Sequence, residues 1–127
     1  MTGAARRDKL MPEGDPAMFN MFKPAKALTL SPVEAEALAR KGEITLVDVR
    51  EAGEWAQMHV PGALHAPLST LPQRIETLPV DKKIVFYCLS GQRSARAIDL
   101  SRSLGKPHDT HVAGGISAWR ASGLPVE

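Results

Sequence analysis

Lys83-Ile84-Val85-Phe86-Tyr87-Cys88-Leu89-Ser90-Gly91-Gln92-Arg93-Ser94 is the stretch on which the reading turns. Its first half is a run of apolar, β-branched and aromatic residues, the pattern of a strand buried on both faces in a parallel sheet. Its second half leaves that strand through a thiol and a glycine-bearing loop. It then enters a helix predicted over residues 94–104, with Ala97, Leu100 and Leu104 on its apolar stripe and Gly105 ending it. Strand, short loop and helix in this order bring backbone N–H groups together on the loop. The positive end of the helix dipole points at the same place, which makes an anion cradle.

The same grammar repeats on both sides. Residues 26–30 read as a short strand, and Ser31-Pro32-Val33-Glu34 as a capping box with proline at the first helical position. Val33, Ala37 and Leu38 are predicted to share the inward face of that helix, which Gly42 stops. Residues 44–49 form a second buried strand ending in Asp48-Val49-Arg50. One or two helical turns follow over 51–57, then a turn at His59-Val60-Pro61-Gly62 and an extended piece over 63–66. A helix is predicted over 70–78 with Leu71, Ile75 and Leu78 inward. Residues 110–113 give the last strand, Gly114-Gly115 a turn and residues 116–121 a closing helix. Strands alternating with helices predict an α/β sandwich with a largely parallel sheet. Ligands gather beyond the carboxyl ends of such strands, so Asp48, Arg50 and the Cys88–Ser94 loop are the candidate site.

The chain has 127 residues, enough for one ordinary core. Its 43% hydrophobic and 24% charged residues argue against wholesale disorder. One cysteine excludes an internal disulfide framework and a multi-cysteine metal cluster. Lys plus Arg number 16 against 14 acidic residues, and from residue 29 onward the two are equal at 11 each, so the body is neutral and does not read as a nucleic-acid binder. No apolar run is long enough to span a bilayer, and the basic Met1–Lys9 segment is not followed by a signal-peptide core, so a cytoplasmic location and no membrane partner are expected. Residues 1–26 read as an N-terminal extension and 27–127 as the domain. The extension carries a sticky cluster of Met18, Phe19, Met21 and Phe22, either docked on its own domain or serving as a partner-binding or dimer-forming arm.

Cys88 has two readings: a small buried hydrophobe, or a reactive thiol. A free thiol with a pKa of about 8.5 is only a few per cent ionised at pH 7, and lowering that pKa by about two units takes about 2.7 kcal/mol. A helix terminus supplies roughly 0.3 to 1 kcal/mol, or about 2 in a favourable buried geometry. Charge-assisted hydrogen bonds from loop amides, with Arg93 or Arg96 nearby, are needed to close the gap. The Ser90-Gly91-Gln92-Arg93-Ser94 continuation favours the reactive thiol.

The motifs Asp48-Val49-Arg50-Glu51, Glu54-Trp55, His59-Val60-Pro61-Gly62-Ala63, Cys88 with Ser90-Gly91-Gln92-Arg93-Ser94, Gly114-Gly115-Ile116 with Trp119, and Gly123-Leu124-Pro125-Val126 follow one another in order. In these the chain resembles the single-domain rhodanese family from about residue 27 to the C-terminus. The resemblance implies a three-layer sandwich with a central, mostly parallel sheet of about five strands. It implies a sulfurtransferase that takes sulfane sulfur from thiosulfate or a related donor onto Cys88 as a persulfide and passes it to cyanide or a thiol, without metal or organic cofactor. Leu89, Ser90, Gly91, Gln92, Arg93 and Ser94 would bind the substrate, loop amides would hold the persulfide charge, and Arg93 would orient the anionic donor. Asp48 and Arg50 would brace the loop as an ion pair, with direct substrate contact as the alternative, and His59 would serve chiefly as scaffold, with a general base as its alternative role.

Met58 stands where the family usually has glycine, and Leu89 where some thiosulfate-using relatives carry a basic residue. The implied partners are a small sulfur donor and acceptor. A protein persulfide met through the N-terminal extension is the relay alternative, a non-catalytic binding module another, and a monomer or weak homodimer is expected. Phosphatases on the same scaffold use a cysteine, five residues and an arginine. Here four residues separate Cys88 from Arg93, which removes up to about 3.5 Å of chain and disfavours a phosphate-sized cradle.

Overall fold

The computed structural model describes residues 26–127. The Met18, Phe19, Met21 and Phe22 cluster lies outside them. The elements are β1 (Leu28–Leu30), α1 (Pro32–Arg40), β2 (Ile44–Asp48), α2 (Ala52–Gln57), β3 (Leu64–His65), α3 (Leu71–Arg74, flanked by 3-10 turns at Leu68–Thr70 and Ile75–Thr77), β4 (Lys83–Tyr87), α4 (Gln92–Ser103), β5 (Thr110–Val112) and α5 (Gly115–Ala121). All five strands are parallel, in the order β1-β5-β4-β2-β3. This is the mostly parallel five-stranded sheet flanked by helices that the sequence predicts.

Alternation along β4 builds both layers at once. Ile84 and Phe86 point to the face covered by Leu71, Ile75, Ala97 and Ile98, and Cys88, just past the strand, continues that face. Val85 and Tyr87 point to the opposite face, against Ala35, Ile116 and Trp119. Asp48 and Tyr87 are register partners, so the carboxyl ends of β2 and β4 open side by side. The crevice expected of a parallel sheet lies there.

Three local readings shift. Residues 70–78 form one short α-helix between 3-10 turns, with Leu71, Ile75 and Leu78 buried as predicted. In α1 the inward stripe is Ala35, Leu38 and Ala39, while Val33 is 59% exposed; the capping box fixes where the helix starts, but the sheet decides which face it buries. In α4 the buried positions are Ser94, Ala97, Ile98 and Ser101, and Leu104 faces solvent. Two serines occupy core positions because their hydroxyls are bonded: Ser101 Oγ donates to the Ala97 carbonyl at 2.8 Å, and Ser94 lies in the site.

Candidate active site

The thiol sits at the start of the loop that joins β4 to α4. The Gly91 N–H donates to Cys88 Sγ at 3.0 Å, and the Ser90 and Ser94 amides are also directed at the sulfur. Ser94 Oγ lies 3.5 Å from it. Gly91 adopts φ +120°, a conformation that side-chain-bearing residues rarely reach, and this lets the chain fold its amides back onto the residue three before it. Cys88 is almost wholly enclosed, at 1% exposure. Burial pushes its pKa up, yet the Ser94 hydroxyl and the Ser94, Gly91 and Ser90 amides outweigh burial and hold the thiol below its ordinary value.

The back of the loop is pinned by the turn into α5. Ile116 N–H donates to the Cys88 carbonyl at 2.9 Å and Ser117 N–H to the Leu89 carbonyl at 3.1 Å. Gly115 makes room for this: a Cβ there would stand 2.4 Å from the Cys88 carbonyl oxygen and 2.5 Å from that of Leu89. With its carbonyls held behind, the loop has its N–H groups free to face the sulfur.

Asp48 and Arg50 form a fully buried, forked ion pair. Arg50 Nη2 reaches Asp48 Oδ2 at 2.6 Å and the Met58 carbonyl at 2.7 Å, and Arg50 Nε bonds both carboxylate oxygens at 3.0 Å. The Arg50 carbonyl is 2.8 Å from His65 Nε2. Met58 is extended there, and its carbonyl accepts from Arg50. His59 stacks on Trp55 at 3.7 Å, with its Nδ1 2.9 Å from the Trp55 carbonyl, and its backbone pairs with that of Glu127. The geometry ties His59 to the C-terminus and not to the thiol.

Arg93 is also occupied. Its two terminal nitrogens bond the two Glu54 carboxylate oxygens at 2.7 and 2.8 Å. Glu54 is held for this by α2, where its carboxylate also accepts from the Glu51 N–H. The Arg93 hydrogen bonds bring the Glu54 pKa down to about 2. A cleft of about 400 Å³ opens beside the loop, lined by Arg50, Glu54, Met58, Leu89, Ser117 and Arg120. Leu89 is 46% exposed in its wall, and Gln92 faces solvent. Among the described residues no group of three or more His, Cys, Asp and Glu converges as a metal site.

The structure places Cys88, its loop, Asp48 and Arg50 at one edge of the sheet, and it adds two partnerships that the sequence does not announce. Glu54 stands in the Glu54-Trp55 motif, but nothing in that motif signals its pairing with Arg93. Ser94 Oγ lies 2.7 Å from His111 Nδ1, a contact between α4 and β5 that no spacing along the chain announces.

A family model described as Rhodanese-like domain matches residues 31–122. The chain is 37% identical over 92 residues to a protein from Allochromatium vinosum named sulfurtransferase, covering 72% of this chain and 86% of that one. It is 33% identical over 109 residues to the thiosulfate:glutathione sulfurtransferase of Homo sapiens, covering 75% and 95% respectively. A crystal structure of a rhodanese-related protein from Thermoplasma volcanium superposes with a TM-score of 0.70 at 29% identity, over 79% of this chain and 97% of that one.

Proposed function

The chain belongs to the rhodanese-like domain family, and on that premise we propose that it carries sulfane sulfur on Cys88, from an anionic donor of the thiosulfate class to a thiophilic acceptor. The observation that carries this reading is the convergence of three amides and a hydroxyl on one enclosed thiol whose pKa they lower. Hydrogen bonds that favour the thiolate over the thiol make Cys88 a better nucleophile than a free cysteine.

In the first half-reaction the Cys88 thiolate attacks the outer sulfur of thiosulfate. A new S–S bond forms to Cys88 Sγ, the bond to the sulfonate sulfur breaks, and its electron pair leaves with sulfite. The persulfide keeps one negative charge on a sulfur about 2 Å further out, still within reach of dipoles aimed at the loop. In the second half-reaction cyanide or a thiolate takes that sulfur and Cys88 returns as thiolate. No step calls for a metal or an organic cofactor. The human relative named for thiosulfate and glutathione supports a thiol as acceptor. Arg93, tied to Glu54 at the mouth, would orient the donor by exchanging one carboxylate contact for a sulfonate oxygen. Leu89 brings no charge to the cleft wall, where Arg120 stands beside the paired Arg50.

Intact mass after incubation with thiosulfate tests the reading. Wild type should gain one sulfur atom, lost again on adding cyanide, and Cys88→Ser should gain none. An unmodified wild-type mass, or equal modification of Cys88→Ser, would overturn it.

A further inference from the structure

The enclosed thiol has an ionisation problem: its proton must leave from a place with almost no solvent. His111 lies on β5, in register with Phe86 of β4 and Thr29 of β1, and is 9% exposed. Its Nδ1 is 2.7 Å from Ser94 Oγ, which is in turn 3.5 Å from Cys88 Sγ and 3.2 Å from the Gly91 carbonyl. Ser94 is fully buried. A hydroxyl has one proton to give, so of these neighbours it can donate to one and must otherwise accept. Burial holds the His111 imidazole below its ordinary pKa; the titratable Cys88 lies on the other side of Ser94 from it. A neutral imidazole has one bare ring nitrogen, able to take a proton at Nδ1 and release another at Nε2.

We propose that Cys88, Ser94 and His111 form a proton relay in which His111 is the positioning residue that governs how Cys88 ionises. In the thiol state Cys88 S–H donates to Ser94 Oγ, and Ser94 O–H donates to His111 Nδ1. On ionisation the S–H bond breaks as a new O–H forms on Ser94, while the old Ser94 O–H breaks as N–H forms at His111 Nδ1. The imidazolium then loses its Nε2 proton to water. One proton has left Cys88 and one has reached solvent. The hydroxyl now donates to the thiolate and accepts from Nδ1–H, so both hydrogen bonds reverse without movement of the chain. The inference rests on the reading of Cys88 as the nucleophile, but not on which group it carries.

The test reads the thiolate directly, as the rate of iodoacetamide alkylation against pH, together with the nitrogen-15 shifts of the His111 ring in the wild-type protein. The His111 tautomer should switch from Nε2–H to Nδ1–H in step with the thiol inflection. Ser94→Ala should raise that inflection by about one unit, slow alkylation at pH 7 about tenfold and uncouple the tautomer. His111→Phe should slow alkylation similarly. His111→Asn, which can bond Ser94 but does not titrate, should recover part of the rate. Neither His111 variant should add to Ser94→Ala. Ring nitrogens that ignore the thiol titration, or His111 variants as damaging without Ser94 as with it, would overturn the relay. If His111→Phe does not fold, the wild-type ring shifts and the Asn variant decide alone. Loss of sulfur loading with this pattern intact would sink only the proposed function.

Discussion

Gly115→Ala asks how closely the loop depends on the turn behind it. The new Cβ would stand 2.4 Å from the Cys88 carbonyl oxygen and 2.6 Å from the Leu89 carbonyl carbon, all backbone atoms that cannot rotate away. Reaching ordinary contact at 3.4 Å moves the loop and α5 apart by about 1 Å. That separation breaks the bonds from the Ile116 and Ser117 amides, worth about 1 kcal/mol each. Residue 115 also sits at φ +61°, which costs a non-glycine residue roughly another 1–2 kcal/mol. The sum is about 3–4 kcal/mol, a fall in Tm of more than about 10 °C for a domain of this size. A 1 Å displacement of the reacting sulfur should cost about 100-fold in kcat/KM for sulfur transfer. Gly105→Ala is the control. It has a similar φ of +73° at the far end of α4, and nothing within 4 Å of its Cβ. It should lose about 1 kcal/mol and no activity. Thermal melts and steady-state kinetics of both variants decide the matter: if Gly115→Ala behaves like Gly105→Ala, the close approach does not hold the loop and the account of its geometry is wrong.

The Glu54–Arg93 pair predicts a pH dependence. The folded pKa of Glu54, about 2, lies below its ordinary 4.5, so its stabilisation is complete above about pH 4.5 and is lost as pH falls through about 2. Taken in full that shift is about 3 kcal/mol, but side chains one-third exposed are screened, and about 1 kcal/mol is expected. Urea denaturation of Glu54→Gln between pH 5 and 2 should lose this part of the acid slope; an unchanged slope would show that the pair contributes nothing. Asp48→Asn strands the Arg50 guanidinium in a fully buried site and should cost about 3–5 kcal/mol by thermal melt, and a loss under about 1 kcal/mol would remove the bracing role of the pair. An aryl phosphate should show no turnover that depends on Cys88, because the loop is one residue short; turnover abolished by Cys88→Ser would contradict this.

The fold was legible because its strands are written as apolar runs. Residues 44–48 and 83–87 cannot be solvated on either face, and the glycines and capping box punctuate the rest. The loop was legible because all its parts are contiguous from Cys88 to Ser94. Periodicity failed where polarity and burial part company. Ser94 and Ser101 lie on the inner face of α4 at helical spacing from Ala97 and Ile98, but a hydrophobicity pattern counts them as outward and rotates the stripe toward Leu104. The His111 contact and the Glu54 salt bridge were hidden for a different reason. Their partners are 17 and 39 residues away, and only the parallel register of β4 with β5 and the position of α2 bring them within bonding distance.

The distribution of charge around the thiol narrows what the cradle can hold. The two arginines that the motifs deliver to this edge of the sheet are each matched by a carboxylate, Arg50 by Asp48 and Arg93 by Glu54. The largest influences that lower the Cys88 pKa are hydrogen bonds from amides and a hydroxyl, which are dipoles, and the Arg93 charge also attracts the thiolate. Dipoles in a closed loop act at short range and are little screened by salt, whereas an unpaired cation would attract any anion over a Debye length. A thiolate and a persulfide both carry a single charge at or near one sulfur, so a fixed set of dipoles can serve both states of a carrier without reorganising. The dipoles of the loop and its shortness therefore support the proposed role of Cys88 as a carrier of one sulfur atom at a time, with Arg120 left as a cation in the cleft wall.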